Sequence, residues 1–290
     1  MRAFSLITGA LLVLTGCTLI KEPTPTEPSS LPPIRTLTDS VGLEIAFLNL
    51  PADSEERLAP MWAEIDETHL PTDLRRRLAA NGVRCGLFGA QMPVPLKQLV
   101  DEMVEPAVGI EEEGVKISSR PVHTRRQLQS RTGQRSELLA TDVRPKMAVL
   151  LSDLGEVAGK TYYDAQGKWA LKTFPRGDGR VQLQLTPEVH HGQHHNKWVG
   201  QSTGVFRQVS GRHHETFDSL RIETILTPGQ TLVLCGTEPL VGMGRQFFTT
   251  GGAPDTAGKR LLLIRLASTQ YDDLFSPERV VAPTMRNSGI

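Results

Sequence analysis

From about residue 115 onward, apolar side chains recur at every second position, and this period decides the fold class. VQLQLTPEV (181–189), SLRIETIL (219–226) and KRLLLIRLAST (259–269) all alternate in this way. An extended strand gathers such residues on one face, whereas a helix scatters them around its circumference. MAVLLSDL (147–154) is a further apolar run, and TPGQTLVLCG enters another from a Pro228-Gly229 turn. Turn signals punctuate the runs: Asp164-Ala165-Gln166-Gly167 reads as one hairpin turn, and Pro175-Arg176-Gly177-Asp178-Gly179 as a second. The triplet Arg176-Gly177-Asp178 matches a cell-adhesion signal, but Gly-Asp-Gly is also what a tight turn requires. Aromatics at 5%, with 26 Gly and 20 Pro, suit a turn-rich, strand-heavy chain. Residues 115–275 are therefore expected to form a larger, mainly antiparallel β domain.

Residues 41–110 read differently. VGLEIAFLNL places Leu43, Ile45 and Phe47 on one side of a strand. Ser54 with Glu55 and Glu56 suits a helix start, and Leu58, Trp62 and Ile65 supply its apolar stripe. LPTDLRRRLAANG has Pro71 near the start of a second helix, Leu74 and Leu78 on its buried face, and Asn81-Gly82 as its stop. The arginines at 75–77 then fall on a solvated outer face. VRCGLFG (83–89) returns as a strand, and PVPLKQLVDEM (93–103) as a short helix. The expected class is α+β: a small αβ module followed by the β domain.

The β domain opens on a basic stretch, residues 116–135, with five arginines and no acid. An edge strand protected by charge explains it, and an anionic partner is the functional alternative. GTEPLVGMGR (236–245) reads as a loop between strands.

The start of the chain concerns location. MRAFSLITGALLVLTGCTLIK has Arg2 and then no charge until Lys21, a pattern shared by secretory signals and short membrane anchors. Leu14-Thr15-Gly16-Cys17 resembles the lipoprotein signal of bacteria, in which the cysteine is acylated and becomes the first residue. The resemblance implies a signal peptide over 1–16, lipidation of Cys17 and a lipid bilayer as partner. Thr18, in place of an aspartate, implies the outer membrane facing the periplasm rather than the inner membrane. KEPTPTEPSSLPP then supplies a proline-rich linker within 17–40, which favours extended, semi-rigid geometry. SPERVVAPTMRNSGI (276–290) reads as a flexible tail.

Val181-x-Leu183-x-Leu185-x-Pro187-Glu188-Val189 resembles a strand motif of the bacterial secretins, the outer-membrane ring proteins of secretion systems. Residues 229–234 (GQTLVL) are similar to that family's second motif and residues 259–266 to its closing strand, in the same order. The chain departs from the family in having Cys235-Gly236 where Gly-Gly is usual, and in altered spacing up to Phe247-Phe248. The resemblance implies a secretin-like β fold and an envelope setting.

LTPEVHHGQHHNKW holds His190, His191, His194 and His195, and His213 and His214 follow. Metal binding needs several donors converging at about 2 Å. Pro187 and Gly192 argue against a helix, and in an extended chain adjacent histidines point to opposite sides. His213, His214 and Glu215 could join them if the intervening hairpin folds back. A solvated hairpin rim and a zinc site are the two readings. Neither His-Glu-x-x-His nor the full Gly-x-x-x-x-Gly-Lys-Thr phosphate loop accompanies the cluster. Lys+Arg and Asp+Glu both number 32, so no net field attracts nucleic acid. Cys85 and Cys235, in apolar runs, read as buried unpaired thiols rather than a disulfide.

The leading expectation is a non-enzymatic envelope lipoprotein without cofactor, acting through contacts with envelope proteins or with its own copies. The alternatives are a zinc-dependent hydrolase built on residues 190–195 and an oligomeric channel subunit.

Overall fold

The computed structural model describes residues 40–50, 55–104, 123–153, 155–200, 206–250 and 258–269. The expected signal peptide, Cys17, most of the linker and the 276–290 tail lie outside the described residues.

Strand β11 (Lys259–Thr269) is apolar on both faces, and the rest of the core is laid on either side of it. It pairs with β1 (Ser40–Leu50) on one side and with β10 (Thr231–Gly236) on the other. Beyond β1 lies β3 (His123–Arg131), and beyond β10 lies β2 (Val83–Phe88). All four pairings are antiparallel, giving a five-stranded sheet in the order β2-β10-β11-β1-β3. One face of this sheet carries Leu48, Leu50, Val233, Leu261 and Leu263. It is covered by Leu58, Met61 and Trp62 of helix α1 (Glu55–Ala63) and by Leu96 and Leu99 of helix α3 (Val94–Val104).

The opposite face, with Leu43, Ile45, Leu232, Leu234, Leu262, Ile264 and Leu266, packs on a second antiparallel sheet. Its order is β4 (Ser136–Leu139), β6 (Glu156–Pro175), β7 (Val181–Gly200) and β8 (Phe206–Thr216). Strand β5 (Arg144–Asp153) pairs with the first half of β6, and β9 (Ile222–Leu226) with the first half of β7. Trp169, Leu171, Val181, Leu183 and Leu185 supply the inner side. Fully burying a leucine contributes roughly 2 kcal/mol, so this core is the main driving force of the fold. Helix α2 (Thr72–Ala80) adds Leu74 and Leu78, and helix α4 (Gly242–Phe247) adds Met243 and Phe247. The described residues are thus mostly antiparallel β, with two helices layered on one sheet.

The strand, helix, helix, strand, helix order over the first segment is the order found, but those strands do not form a sheet of their own. β1 and β2 are separated by β10 and β11, which come from the far end of the chain. The boundary expected near 110 therefore does not divide the sheet. A strand with two apolar faces needs neighbours on both edges, and β10 and β11 take theirs from the αβ segment.

Two further expectations are corrected. The hairpin turn at 164–167 does not exist, because β6 runs straight through it. Only Asp164 has a positive φ there, at 47°, whereas a type I′ hairpin needs two such residues in succession. The strand instead changes partner at this point: 156–165 pair with β5, and 166–175 with β7. Gly167 serves the packing, since a Cβ there would meet the Phe247 ring at 3.0 Å. The turn at 176–180 does form, closed by Arg176 N–H donating to the Arg180 carbonyl. The supposed 236–245 loop contains α4, whose Gly244 lies so close to the backbone of Gly82 that a Cβ would overlap its carbonyl oxygen. Strand β3 is an edge strand, as its arginines suggest, with Arg125 and Arg126 exposed.

Candidate functional site

The histidine window forms the outer half of the β7–β8 hairpin. β8 folds back so that His190 pairs with His214 and His191 with His213. The register then shifts, and His195 pairs with Gly211. Gly192, with φ of 74°, opens this bulge. Two extra residues in β7 preserve the facing of the residues beyond the bulge, because strand facing repeats every two residues. His191, His195 and His213 consequently share one face, while His190 and His214 share the other.

On the first face His213 stacks between its neighbours, with ring centroids 4.3 Å from His195 and 6.1 Å from His191. The start of β6 lies across this face. Tyr162 rests against His191 at 5.1 Å, and Lys160 reaches over Tyr162 to an ion pair with Glu215. Burial pushes the Tyr162 phenol up, and the Glu215 carboxylate beside it adds to the effect. His191 is held below the ordinary imidazole value by burial, then by His213 and Lys160.

The second face is built around Glu188, which is 4% exposed. His190, also buried, places Nε2 2.8 Å from the Glu188 carboxylate, and Arg135 pairs with the same oxygen. Arg135 also bonds Glu137, to which Lys168 donates at 2.7 Å. Burial alone would raise the Glu188 pKa, but the bonds from His190 and Arg135 outweigh it and hold the carboxyl below its usual range. His214 stacks on His190 at 5.2 Å, and His194 stands exposed in the bulge. A polar hollow of about 220 Å³ opens beside Glu188, lined also by Lys172, Gln184, Asp218 and Arg221.

The fold thus brings His191, His195 and His213 together and separates them from His190, His194 and His214. Among the described residues, no three His, Cys, Asp or Glu side chains are grouped to hold a metal ion. The three rings on one face lie in near-parallel planes, 26° and 28° apart, which is stacking and not convergence on a common point. His190 departs from the solvated-rim reading, since Glu188 and its neighbours bury it. The partners Arg135, Tyr162 and Lys160 are not singled out by the sequence, and Glu188 stands there only within the strand motif, although its two-residue step to His190 puts both on one strand face.

Cys85 and Cys235 are buried and not bridged. They lie on paired strands but on opposite faces, one in each core cluster. Cys17 lies outside the described residues, and among the described residues no helix is long and apolar enough to cross a membrane.

No protein-family model, curated protein or solved structure matches this chain.

Proposed function

We propose that this chain is a non-enzymatic lipoprotein of a bacterial envelope, tethered through acyl chains on Cys17 at the outer membrane. It acts as a structural or assembly component through contacts with other envelope proteins. One observation carries the kinship with secretin-type β domains. The three stretches that bear the resemblance are all strands, and they meet in one core: Val181, Leu183 and Leu185 of β7 pack with Leu232 and Leu234 of β10 and with Leu262 and Ile264 of β11.

The contact surface in this reading is the pair of long hairpins, β5–β6 and β7–β8. Leu150, Val157 and Tyr163 stand more than half exposed on the first of them, where apolar side chains are available to a protein partner. Crosslinking in intact envelopes followed by capture of the full-length protein tests the reading, with mass spectrometry of Cys17 alongside. A triacylated Cys17 and a specific envelope protein crosslinked through the hairpins are the expected results. An unmodified Cys17 in a cytosolic chain would overturn it, and detergent-resistant rings would replace it with the channel reading.

A further inference from the structure

Three histidines on one face of a hairpin are neutral stacking partners at one pH and mutually repelling cations at another. His213 stands 4.3 Å from His195 and 6.1 Å from His191, well inside the distance over which salt screens charge. Among the described residues, the charges that face them are few. From β6 come Lys160 and Tyr162, and from β8 comes Glu215, whose carboxylate is already taken by Lys160. An imidazolium formed on His191 therefore meets Lys160 and the His213 ring, which oppose it, and one carboxylate that favours it but is shared with Lys160. On the opposite face His190 Nε2 instead lies 2.8 Å from the Glu188 carboxylate.

We propose that the β7–β8 hairpin is an acid-operated joint: closed near neutral pH, it parts beyond His191 when His191, His195 and His213 become charged, while His190 and Glu188 hold its base. The register supports a joint at this point. Pairing is continuous from Glu188 to His191 and is then broken by the Gly192 bulge before it resumes at His195. The outer segment is thus attached across an interruption of the ladder.

The direction follows from proton linkage. His191 in the closed hairpin holds its proton less tightly than an imidazole in water. The open form therefore binds more protons, and falling pH drives opening. The window begins at the ordinary histidine value of 6.5 and extends below it. Opening exposes unpaired strand edges, which are ready to pair with another chain. The inference rests on the hairpin's own geometry, so its failure would leave the proposed function standing.

Hydrogen–deuterium exchange on the full-length protein in detergent, corrected for intrinsic rates, tests it at about pH 7.5 and about pH 5.5, on either side of the histidine titration. Protection over 206–213 should fall severalfold at the lower pH, while β11 keeps its protection. The variant H195Q/H213Q should show no such fall. Proton titration of the histidine rings by NMR in the wild type gives a second readout, with His191 titrating below an ordinary imidazole. Unchanged protection in the wild type, an equal loss in β11, or the same fall in the variant would overturn the proposal.

Discussion

Asn81 clasps the backbone of Ser152 with two hydrogen bonds: its Oδ1 accepts the Ser152 N–H at 2.8 Å, and its Nδ2 donates to the Ser152 carbonyl at 2.7 Å. A side-chain amide here does what a neighbouring strand would do, satisfying backbone groups near the far end of β5. Asn81 is 0% exposed, and its own carbonyl receives the Gly244 N–H at 2.8 Å. One residue at a helix end therefore joins α2, β5 and α4.

Asn81 Nδ2 also donates to the Arg77 carbonyl at 2.8 Å, so replacing Asn81 with Ala leaves that carbonyl and both Ser152 groups without this partner. Unsatisfied buried groups cost about 1–3 kcal/mol each, and partial access of water to Ser152 reduces the sum. N81A should lose about 2 kcal/mol in denaturant unfolding, whereas a surface change such as A79S should stay within about 0.5 kcal/mol. Equal stability of N81A and wild type would show that the clasp contributes nothing.

Gly244 and Gly82 form the second contact between α4 and the end of α2. A methyl group at Gly244 would overlap the Gly82 carbonyl and its neighbours, and only backbone movement could relieve that. G244A should be destabilised by at least about 3 kcal/mol, the upper range for overpacking. A mutant melting within a degree or two of wild type would refute the close approach.

Glu188 ties acid sensitivity to the hairpin base. Its folded pKa lies below the ordinary 4.5, so the stability that it contributes is fully present above pH 4.5 and is lost as pH falls through the folded value. Melting temperature plotted against pH should therefore drop more steeply on the acid side in wild type than in E188Q. At neutral pH E188Q should be the less stable, by about 2 kcal/mol, because Arg135 and His190 lose a charged partner. Parallel profiles would mean that the carboxylate is not held ionised by these partners.

Both buried thiols should be silent toward a thiol reagent at about pH 8, where an exposed cysteine is partly ionised. Burial pushes the Cys85 thiol far up, with Cys235 adding to the effect. Reaction should appear only with unfolding and at the unfolding rate. Rapid labelling of either residue in the native protein would contradict its placement.

Much of the secondary structure was legible because it depends on neighbours in sequence. KRLLLIRLAST coincides with β11 from Lys259 to Thr269, and Leu74, Leu78 and Asn81 were read as a helix face and its stop, as they stand in α2. Local period and turn chemistry suffice for that. The supposed turn at 164–167 misled because Asp and Gly signal a reversal, while the pairing of β6 with β5 and then with β7 keeps it extended. Likewise, the facing of the histidines depended on a two-residue bulge. No local propensity specifies whether such a bulge inserts one residue or two.

By itself the sequence determined that this chain is strand-rich, where most of its strands and helices run, and that its histidines sit in extended chain, since these follow from side-chain alternation along a few residues. Tertiary structure decided that β1 and β2 sandwich β10 and β11, that α4 nests on Gly82, and that His191, His195 and His213 share a face. These choices rest on which edges and apolar faces meet across long stretches of chain, and the free energy of such meetings is not written in any one segment.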